Sequence, residues 1–259
     1  MNPRDNTAAI NQAHWQKMVQ EGCGFTIPWL DLDRNLIRRY AAGELDTVPA
    51  PLNEIHPAGV LANVEGEDVL CLASGGGQQS AVFGLLGARV TVVDLTGGQL
   101  DGDRRAAAHY GYQVTTIQAD MRDLSCLARE SFDLVYQAES MAYVPDAREV
   151  YSQVGAVLRP AGLYRTSFTN PIAEFADWDG EAYRIAVPYV HKSSQDAGGP
   201  IEFRHYLSEV FNGLLALGFS IQEVREDPRY LRGDAQPSPG SWDHFLLYMP
   251  GFAVVAKRG

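Results

Sequence analysis

The sequence predicts an α/β protein built on one doubly wound parallel sheet. Short apolar runs alternate with segments whose apolar residues recur at the helical period, from residue 69 to residue 168. A glycine-rich loop follows the first of these strands, and Asp94 ends the second. Together these observations are typical of a nucleoside-binding half, in which the ligand lies at the carboxyl ends of parallel strands.

The strongest local pattern is a strand, glycine loop, helix and strand between residues 69 and 94. The apolar run 69–73 predicts a buried strand, and residues 78–86 predict a helix that ends at Gly87. Between them stand Ser74, Gly75, Gly76 and Gly77, whose backbone another molecule can approach closely because glycine has no Cβ. A tight turn without a ligand is the alternative interpretation of the glycines.

Composition favours work on small molecules. The chain has 259 residues and a formal net charge of −11, which disfavours nucleic acid and anionic membranes as partners. The first residues lack the pattern of a signal peptide, and no run approaches the ~18 apolar residues of a membrane span. A cytoplasmic protein without a membrane partner is expected. Its three cysteines, Cys23, Cys71 and Cys126, show no disulfide or zinc spacing.

The N-terminal part, residues 1–57, is predicted to be a helical lid and a linker that precede a Rossmann-like domain at residues 58–259. Helices are expected at residues 7–21 and 28–42, and the proline-containing stretch 44–57 is expected to form no element. Trp15 and Trp29 either help to cover the open end of the sheet or simply anchor the helices to the core.

The alternation continues after Asp94. A helix over 98–110, a strand over 112–118, a strand over 132–136, a helix over 147–158 capped by Asp146 and a strand over 163–168 are predicted. Asp120 follows the third strand, where it can contact a base amine or can equally cap the next segment. After a loop at 227–244, the strand 252–257 is expected to pair with the strand 219–224.

Residues 169–200 interrupt this rhythm and are expected to build a substrate pocket, because long loops on a rigid scaffold often carry binding residues. The aromatic candidates there are Trp178, Tyr183, Tyr189 and His191. A short helix over 173–178, a return strand over 201–206 and a helix over 208–217 complete the predicted elements.

The motifs VLCLASGGGQQSAVFGLLGARVTVVD with GGQLDGDR, QADMRDLS, SFDLVYQAESMAYVPD, VLRPAGLYRTSFTNP and LLYMPGFAVVAKR, in this order, resemble class I S-adenosylmethionine-dependent methyltransferases. The resemblance is closer to a group of bacterial small-molecule enzymes of that fold. It implies a seven-stranded sheet with an antiparallel last strand, S-adenosyl-L-methionine as cofactor and a small-molecule methyl acceptor.

The same resemblance implies a set of cofactor contacts. The glycine loop would lie against the methionine part and the ribose, Asp94 would bind the ribose hydroxyls, and Asp120 with Met121 would contact the adenine. The full set is Ala73, Ser74, Gly75, Gly77, Gln78, Asp94, Leu95, Gln99, Asp120, Met121, Gln137, Ala138 and Trp29. Two positions depart from the family pattern. Cys71 replaces the usual acid of the first strand, and Ala73 replaces the first glycine of the loop, which adds one methyl group.

The expected reaction is an in-line displacement that depends mainly on positioning. Glu139, His191, His205 and Tyr206 are candidates for a general base, although each also fits an ordinary structural role. No spacing indicates a metal site. Two alternatives remain: a non-catalytic S-adenosylmethionine-binding protein, and a nicotinamide-dependent oxidoreductase, for which Ser80 stands where the fingerprint has its third glycine.

Overall fold

The computed structural model of the chain describes residues 3–185, 187–195, 197–226 and 237–259. Its helices are α1 (Pro3–Glu21), α2 (Arg34–Ala41), α3 (Gln79–Leu85), α4 (Gly97–Tyr110), α5 (Ala147–Val157), α6 (Leu207–Ala216) and α7 (Trp242–Tyr248). Its strands are β1 (Asp68–Leu72), β2 (Arg89–Asp94), β3 (Val114–Gln118), β4 (Phe132–Gln137), β5 (Leu158–Phe168), β6 (Ala176–Trp178), β7 (Tyr183–Ile185), β8 (Ser193–Ser194), β9 (Glu202–Phe203), β10 (Phe219–Glu226) and β11 (Phe252–Arg258).

Within the described part of the chain, the central sheet has seven strands in the order β10-β11-β5-β4-β1-β2-β3. The pairs from β5 to β3 are parallel, whereas β11 is antiparallel to both β5 and β10. The predicted seven-stranded sheet with an antiparallel last strand is therefore confirmed. The order reverses at β1, which places β1 and β4 side by side and opens a crevice at their carboxyl ends.

Both faces of the sheet are covered by apolar residues, as a doubly wound sheet requires. One face packs Leu70 and Val135 against Val150 and Val154 of α5. The other face packs Val69 and Cys71 against Val82 and Phe83 of α3, and the same cluster includes Ile37, Leu52 and Ile55 from the N-terminal part. Residues 34–55 thus share a core with the sheet, while a domain boundary at residue 57 stays a prediction.

Two N-terminal predictions need correction. The second helix begins at Arg34 rather than at residue 28, because the Asp33 carboxylate caps it by accepting from the amides of Asn35 and Leu36. The stretch 44–57, predicted to form no element, contains a short 3-10 turn at Leu52–Glu54. Leu52 in this turn is 2% exposed and therefore belongs to the hydrophobic core.

The C-terminal half also differs from the prediction. β5 already begins at Leu158, so it includes residues 158–162, which precede the predicted strand 163–168. The predicted short helix 173–178 is a 3-10 turn followed by β6, and the return strand 201–206 is reduced to Glu202–Phe203. α7 occupies part of the predicted loop 227–244, of which residues 227–236 lie outside the described residues.

Helix α1 lies across the carboxyl ends of the strands. Asn11, buried on its inner side, donates from Nδ2 to the carbonyls of Tyr143 (3.3 Å) and Ile201 (3.1 Å) and accepts from the amide of Ile201 (2.7 Å). The side chain of Gln12 donates from Nε2 to the carbonyl of Leu95 at 2.8 Å. These bonds fix α1 over the crevice. None of the described helices is long and apolar enough to cross a membrane.

Candidate active site

A cavity of about 690 Å³ opens at the carboxyl ends of the parallel strands, under α1. Nearly all the residues predicted to bind the cofactor line it, namely Trp29, Ala73, Ser74, Gly75, Gln78, Asp94, Leu95, Gln99, Asp120, Met121 and Ala138. Gly77 and Gln137 do not line it. The cavity falls within the range of small-molecule sites.

The glycine loop presses against the end of β2. The Gly75 amide donates to Oδ2 of Asp94 at 3.0 Å, and a Cβ on Gly75 would stand 2.6 Å from Cβ of Gln99 and 2.9 Å from that same oxygen. This position therefore requires glycine on steric grounds. The loop leaves a shallow cradle in front of Asp94 that a larger residue would fill.

Asp94 is the carboxylate that the cradle exposes. Its Oδ1 accepts from the Thr96 amide at 2.8 Å, and its Oδ2 accepts from Gly75, so each oxygen keeps a further lone pair for a ligand hydroxyl. Burial raises the pKa of Asp94 to about 6, although the amides of Thr96 and Gly75 oppose this rise. Such a group is a good acceptor for a pair of hydroxyls at neutral pH.

Asp103 of α4 is a second buried carboxylate, which the sequence analysis did not identify. It accepts from the amides of Gly76 (3.2 Å) and Gly77 (3.1 Å) and from Oγ of Ser80 (2.5 Å). Burial raises the pKa of Asp103 to about 7, the Ser80 bond opposes the rise, and the charge of Asp94 adds to it. The Gly77 amide is thus donated to Asp103, and a contact of Gly77 with the cofactor stays a prediction.

The two departures from the family pattern lie at the end of β1. Cys71 is completely buried in the sheet, and burial raises the pKa of its thiol. Ala73 has a φ of 45°, in the left-handed region that favours glycine. Alanine at this position therefore adds backbone strain as well as the methyl group expected from the sequence.

The predicted adenine end combines two roles. Asp120 lines the cavity, where a ligand can reach it. It also accepts from the Arg122 amide (2.9 Å) and pairs with the Arg122 guanidinium (2.5 Å), so it forms the turn after β3 as well. Gln137 instead points into the core, where its Nε2 donates to Ser140 Oγ at 3.0 Å and its Oε1 accepts from Tyr164. Its side chain is therefore not in the predicted position at the methionine end.

Of the four candidate bases, only Glu139 lines the cavity among the described residues. His205 is buried beside Phe168 with its Nε2 2.9 Å from the Met141 carbonyl, and burial lowers its pKa. Tyr206 donates to the Tyr189 carbonyl at 3.0 Å, and His191 is exposed outside the cavity. The geometry favours Glu139 as the candidate to test.

The aromatic residues that line the cavity come from the N-terminal part, from β4 and the segment that follows it, and from β5 and β11. Trp15 packs edge-on against Tyr143, with ring centroids 5.7 Å apart, and Trp29 and Phe25 also line the space. Trp178 and Tyr183 pack instead against His244 in a separate cluster, and neither they nor Tyr189 and His191 line the cavity. From residues 169–200, as far as they are described, only Thr169 does.

Sequence reasoning missed a second group of lining residues, which consists of Asn53 and His56 from the N-terminal part with Arg165 and Ser167 of β5. Arg165 carried a usable signal, because the one charged residue of the predicted sheet strand LYRTSF must either be partnered or serve a site. Asn53 and His56 carried none, since only the packing of residues 50–56 brings them to β5.

The sheet order, the antiparallel last strand and a carboxylate at the end of β2 facing a glycine loop define a class I methyltransferase fold with a nucleoside site. The comparisons with known proteins assign the family. A family described as a methyltransferase domain matches residues 70–166. The uncharacterized methyltransferase YbaJ of Bacillus subtilis is 30% identical over 233 residues, which cover 85% of this chain and 90% of that protein. The chain therefore belongs to the class I S-adenosylmethionine-dependent methyltransferases.

Solved structures share the fold at low identity. The 1,6-didemethyltoxoflavin-N1-methyltransferase of Burkholderia thailandensis, with 1,6-didemethyltoxoflavin and S-adenosylhomocysteine bound, is 19% identical, with a TM-score of 0.62 and coverage of 100% of this chain and 91% of that one. The geranyl diphosphate C-methyltransferase of Streptomyces coelicolor is 14% identical, with a TM-score of 0.63 and complete coverage of both chains.

The family's cofactor is S-adenosylmethionine, and the residues present fit it. The cradle at Gly75 would be closed by a single Cβ, and Asp94 beside it offers acceptor positions for hydroxyls. Oε1 of Gln99, over the same loop, is buried and has no hydrogen-bond partner among the described residues. Family membership thus favours methyl transfer over a nicotinamide-dependent reaction or a purely binding role.

Proposed function

We propose that this methyltransferase transfers the methyl group of S-adenosylmethionine to a small-molecule acceptor in the cavity under α1. The observation that carries the proposal is the continuity of that cavity, which runs from Asp94 and Asp120 at one end to Arg165 and Ser167 at the other. One continuous space therefore adjoins both the residues proposed to bind the nucleoside and a separate group of polar residues. The small-molecule substrates named for the two structural neighbours support this class of acceptor.

The donor lies, in this proposal, along the row of strand ends from β3 to β4. Asp94 binds the ribose hydroxyls, Asp120 and Met121 border the adenine, and Ala73 with Ser74 and Ala138 border the methionine part. Gln99 Oε1 supplies a further acceptor. When bound, S-adenosylmethionine supplies a methyl group that its positively charged sulfur already activates for displacement.

The chain's own contribution to the reaction is then positioning and exclusion of water. Trp15 and Tyr143 wall the cavity from above, and Trp29 closes the side next to the glycine loop, to which its amide is tied by a 3.1 Å bond to the Gly77 carbonyl. Holding the acceptor nucleophile in line with the methyl group lowers the barrier by several kcal/mol through orientation alone. Aromatic faces stabilise the cationic centre further.

Glu139 is the proposed proton acceptor where the acceptor atom carries a proton. It follows β4 directly, lines the cavity and is exposed, so it can pass a proton to solvent. A Glu139→Gln variant should lower kcat and leave the affinity for the donor unchanged.

The proposal is tested first by calorimetric titration of the wild-type protein with S-adenosylmethionine, S-adenosylhomocysteine and NADH. Both adenosyl ligands should bind and NADH should not. Asp94→Ala should lower their affinity by about a hundredfold, because it removes hydrogen bonds to a charged acceptor worth ~1.5–3 kcal/mol each. Asp101→Asn, at an exposed position of α4, serves as the matched control.

The acceptor is then sought by incubating the protein with labelled S-adenosylmethionine and a panel of small molecules that carry hydroxyl, amine, thiol or activated carbon nucleophiles. Transfer that Trp15→Ala reduces without weakening donor affinity supports an acceptor under α1. Binding of NADH alone, or equal donor affinity in the wild type and Asp94→Ala, contradicts the proposed function.

A further inference from the structure

Arg165 is a buried cation at the floor of the cavity. Its side chain is only 1% exposed, yet it is part of the cavity lining. In the sheet, Arg165 is in register with Tyr136 of β4, which is in register with Cys71 of β1, so it lies in the row just below the strand ends. Ser167, two residues later on β5, stands above it at the rim.

The partners of this guanidinium are backbone carbonyls, a hydroxyl, an imidazole nitrogen and an aromatic ring. Nε donates to the His56 carbonyl at 2.8 Å, and Nη1 donates to the Gln137 carbonyl at 3.0 Å and to Ser167 Oγ at 2.9 Å. Nη2 lies 3.3 Å from Nε2 of His56, and the guanidinium stacks over the Tyr136 ring at 4.6 Å. Among the described residues no carboxylate forms an ion pair with Arg165, although Glu54, Glu139 and Glu202 also line the cavity.

A comparison with Arg122 shows why this matters. Arg122 also lines the cavity and is also buried (4% exposed), but its charge is balanced by Asp120 at 2.5 Å. An unbalanced buried charge is costly, and a neutral side chain could cap the same carbonyls at lower cost. The charge of Arg165 is therefore better explained by a ligand that brings the missing anion.

The position of Arg165 indicates which ligand that is. β5 is separated from β1 by β4, so Arg165 lies about 10 Å along the sheet from the strand that carries the glycine loop, at ~4.8 Å per strand. Asp94, on β2, is one strand further away. The adenosyl part of the donor is accounted for at β2 and β3, which leaves β5 to the acceptor.

We propose that Arg165, with Ser167, binds a carboxylate group of the methyl acceptor and so makes this enzyme a methyltransferase for acidic small molecules. The inference rests on the proposed function, since it assigns the acceptor class of that same cavity. Nε and both hydrogens of Nη1 are already donated to protein acceptors, so a ligand carboxylate would accept from Nη2 of Arg165 and from the hydroxyl of Ser167, whose Oγ accepts from Nη1. A carboxylate is also present in the methionine part of the donor, so the experiment must separate the two sources.

The acceptor arm measures the binding of benzoate and hexanoate, each against its uncharged amide, to the wild-type protein with and without saturating S-adenosylhomocysteine. We expect the acids to bind at least about tenfold more tightly than the amides, as charge-assisted hydrogen bonds imply. Arg165→Gln should abolish that preference, Arg165→Lys should retain part of it, and Ser167→Ala should reduce it. Arg104→Gln, at an exposed position of α4, is the control and should leave it unchanged.

The donor arm compares S-adenosylhomocysteine with 5′-methylthioadenosine, which lacks the amino-acid part. Equal affinities of the wild type and Arg165→Gln for both compounds support the proposal. A selective loss of S-adenosylhomocysteine binding in Arg165→Gln would show that Arg165 holds the donor's carboxylate and would overturn it. Equal binding of acids and amides by the wild type overturns it as well, and this readout does not depend on the folding of any variant.

The two proposals fail in distinguishable ways. If the wild-type protein binds S-adenosylhomocysteine but shows no preference for acids, the proposed function stands and the proposal of an acidic acceptor is wrong. If it binds acids through Arg165 but binds no adenosyl ligand, the anion site stands and the proposed function is wrong.

Discussion

The two ends of the cavity are built in opposite ways. The end proposed for the donor is built mainly from residues 73–121, with Trp29 and Ala138 beside them, and the carboxylates of Asp94 and Asp103 buried there accept from backbone amides of the glycine loop and of Thr96. The end proposed for the acceptor joins α1, residues 50–56 and β5, and the guanidinium of Arg165 buried there is held by carbonyls and a hydroxyl.

This difference separates a general task from a particular one. Recognition of a nucleoside needs a close backbone and a carboxylate at fixed spacing, which a strand, loop and helix supply locally. Recognition of an acceptor needs groups matched to one ligand, and these groups come from segments that meet only in the folded chain. We therefore expect changes at the donor end to act through the loop backbone, and changes at the acceptor end to act through long-range contacts.

The largest effect should come from crowding the donor end. Gly75→Ala places a Cβ 2.6 Å from Cβ of Gln99 and 2.9 Å from Oδ2 of Asp94, so the loop or Asp94 must move. We expect a destabilisation of ~1–3 kcal/mol and at least a tenfold loss of affinity for S-adenosylhomocysteine. Chemical denaturation and calorimetry measure the two.

Gly59→Ala is the control for this variant, because no atom lies within 4 Å of a Cβ built there. Its affinity and stability should match the wild type. Unchanged donor binding in Gly75→Ala would mean that the donor does not depend on this loop.

The buried carboxylates of the donor end should make stability depend on pH. Because burial raises the pKa of Asp94 to about 6 and of Asp103 to about 7, the folded state binds more protons than the unfolded state between pH 4 and pH 7. Their contribution is fully present below about pH 4 and is lost as the pH rises through 6 to 7, by several kcal/mol in all.

Asp103→Asn removes one of these titrating groups, so its free energy of unfolding should fall less steeply with pH than that of the wild type. Asp101→Asn on the exposed face of α4 should keep the wild-type slope. Parallel curves for wild type and Asp103→Asn would contradict the assignment.

At the acceptor end, Asn11→Ala should release α1 from the crevice. The variant loses the bonds to Tyr143 and Ile201 and leaves the Ile201 amide without its side-chain acceptor, which should cost ~2 kcal/mol. Hydrogen exchange should increase in α1, and methyl transfer should fall more than donor affinity. Asn6→Ala, at an exposed position of the same helix, should change neither; equal exchange in both variants would show that α1 is held by other contacts.

The smallest effect tests the strain at the start of the glycine loop. Ala73→Gly relieves a φ of 45° and should change stability by less than ~1 kcal/mol, in the stabilising direction. Ala161→Gly, at a φ of 66° far from the cavity, should have a similar effect on stability and none on donor affinity. A marked destabilisation by Ala73→Gly would mean that the alanine methyl, rather than the backbone, matters there.

The prediction from sequence worked best where one interaction partner is a sequence neighbour. The strand before Gly75, the carboxylate at Asp94, the cap at Asp146 and the antiparallel pairing of β11 all follow from local period, turn residues or known strand order, and each is seen in the structure. It failed where a side chain or tertiary contact competes with the local pattern, as at Asp33, which starts α2 six residues later than Pro28 suggests.

The sequence alone thus determined the parallel strands, the glycine loop and a carboxylate at the end of β2, because these depend on the periodicity of residues close together in the chain, whereas the seven strands and the antiparallel last strand followed from the resemblance to a family. Only the tertiary structure decided that Asp103 holds the loop, that Gln137 turns inward, and that Asn53, His56 and Arg165 meet at one wall. Those contacts join residues up to 109 positions apart, and no local pattern encodes a distance of that kind.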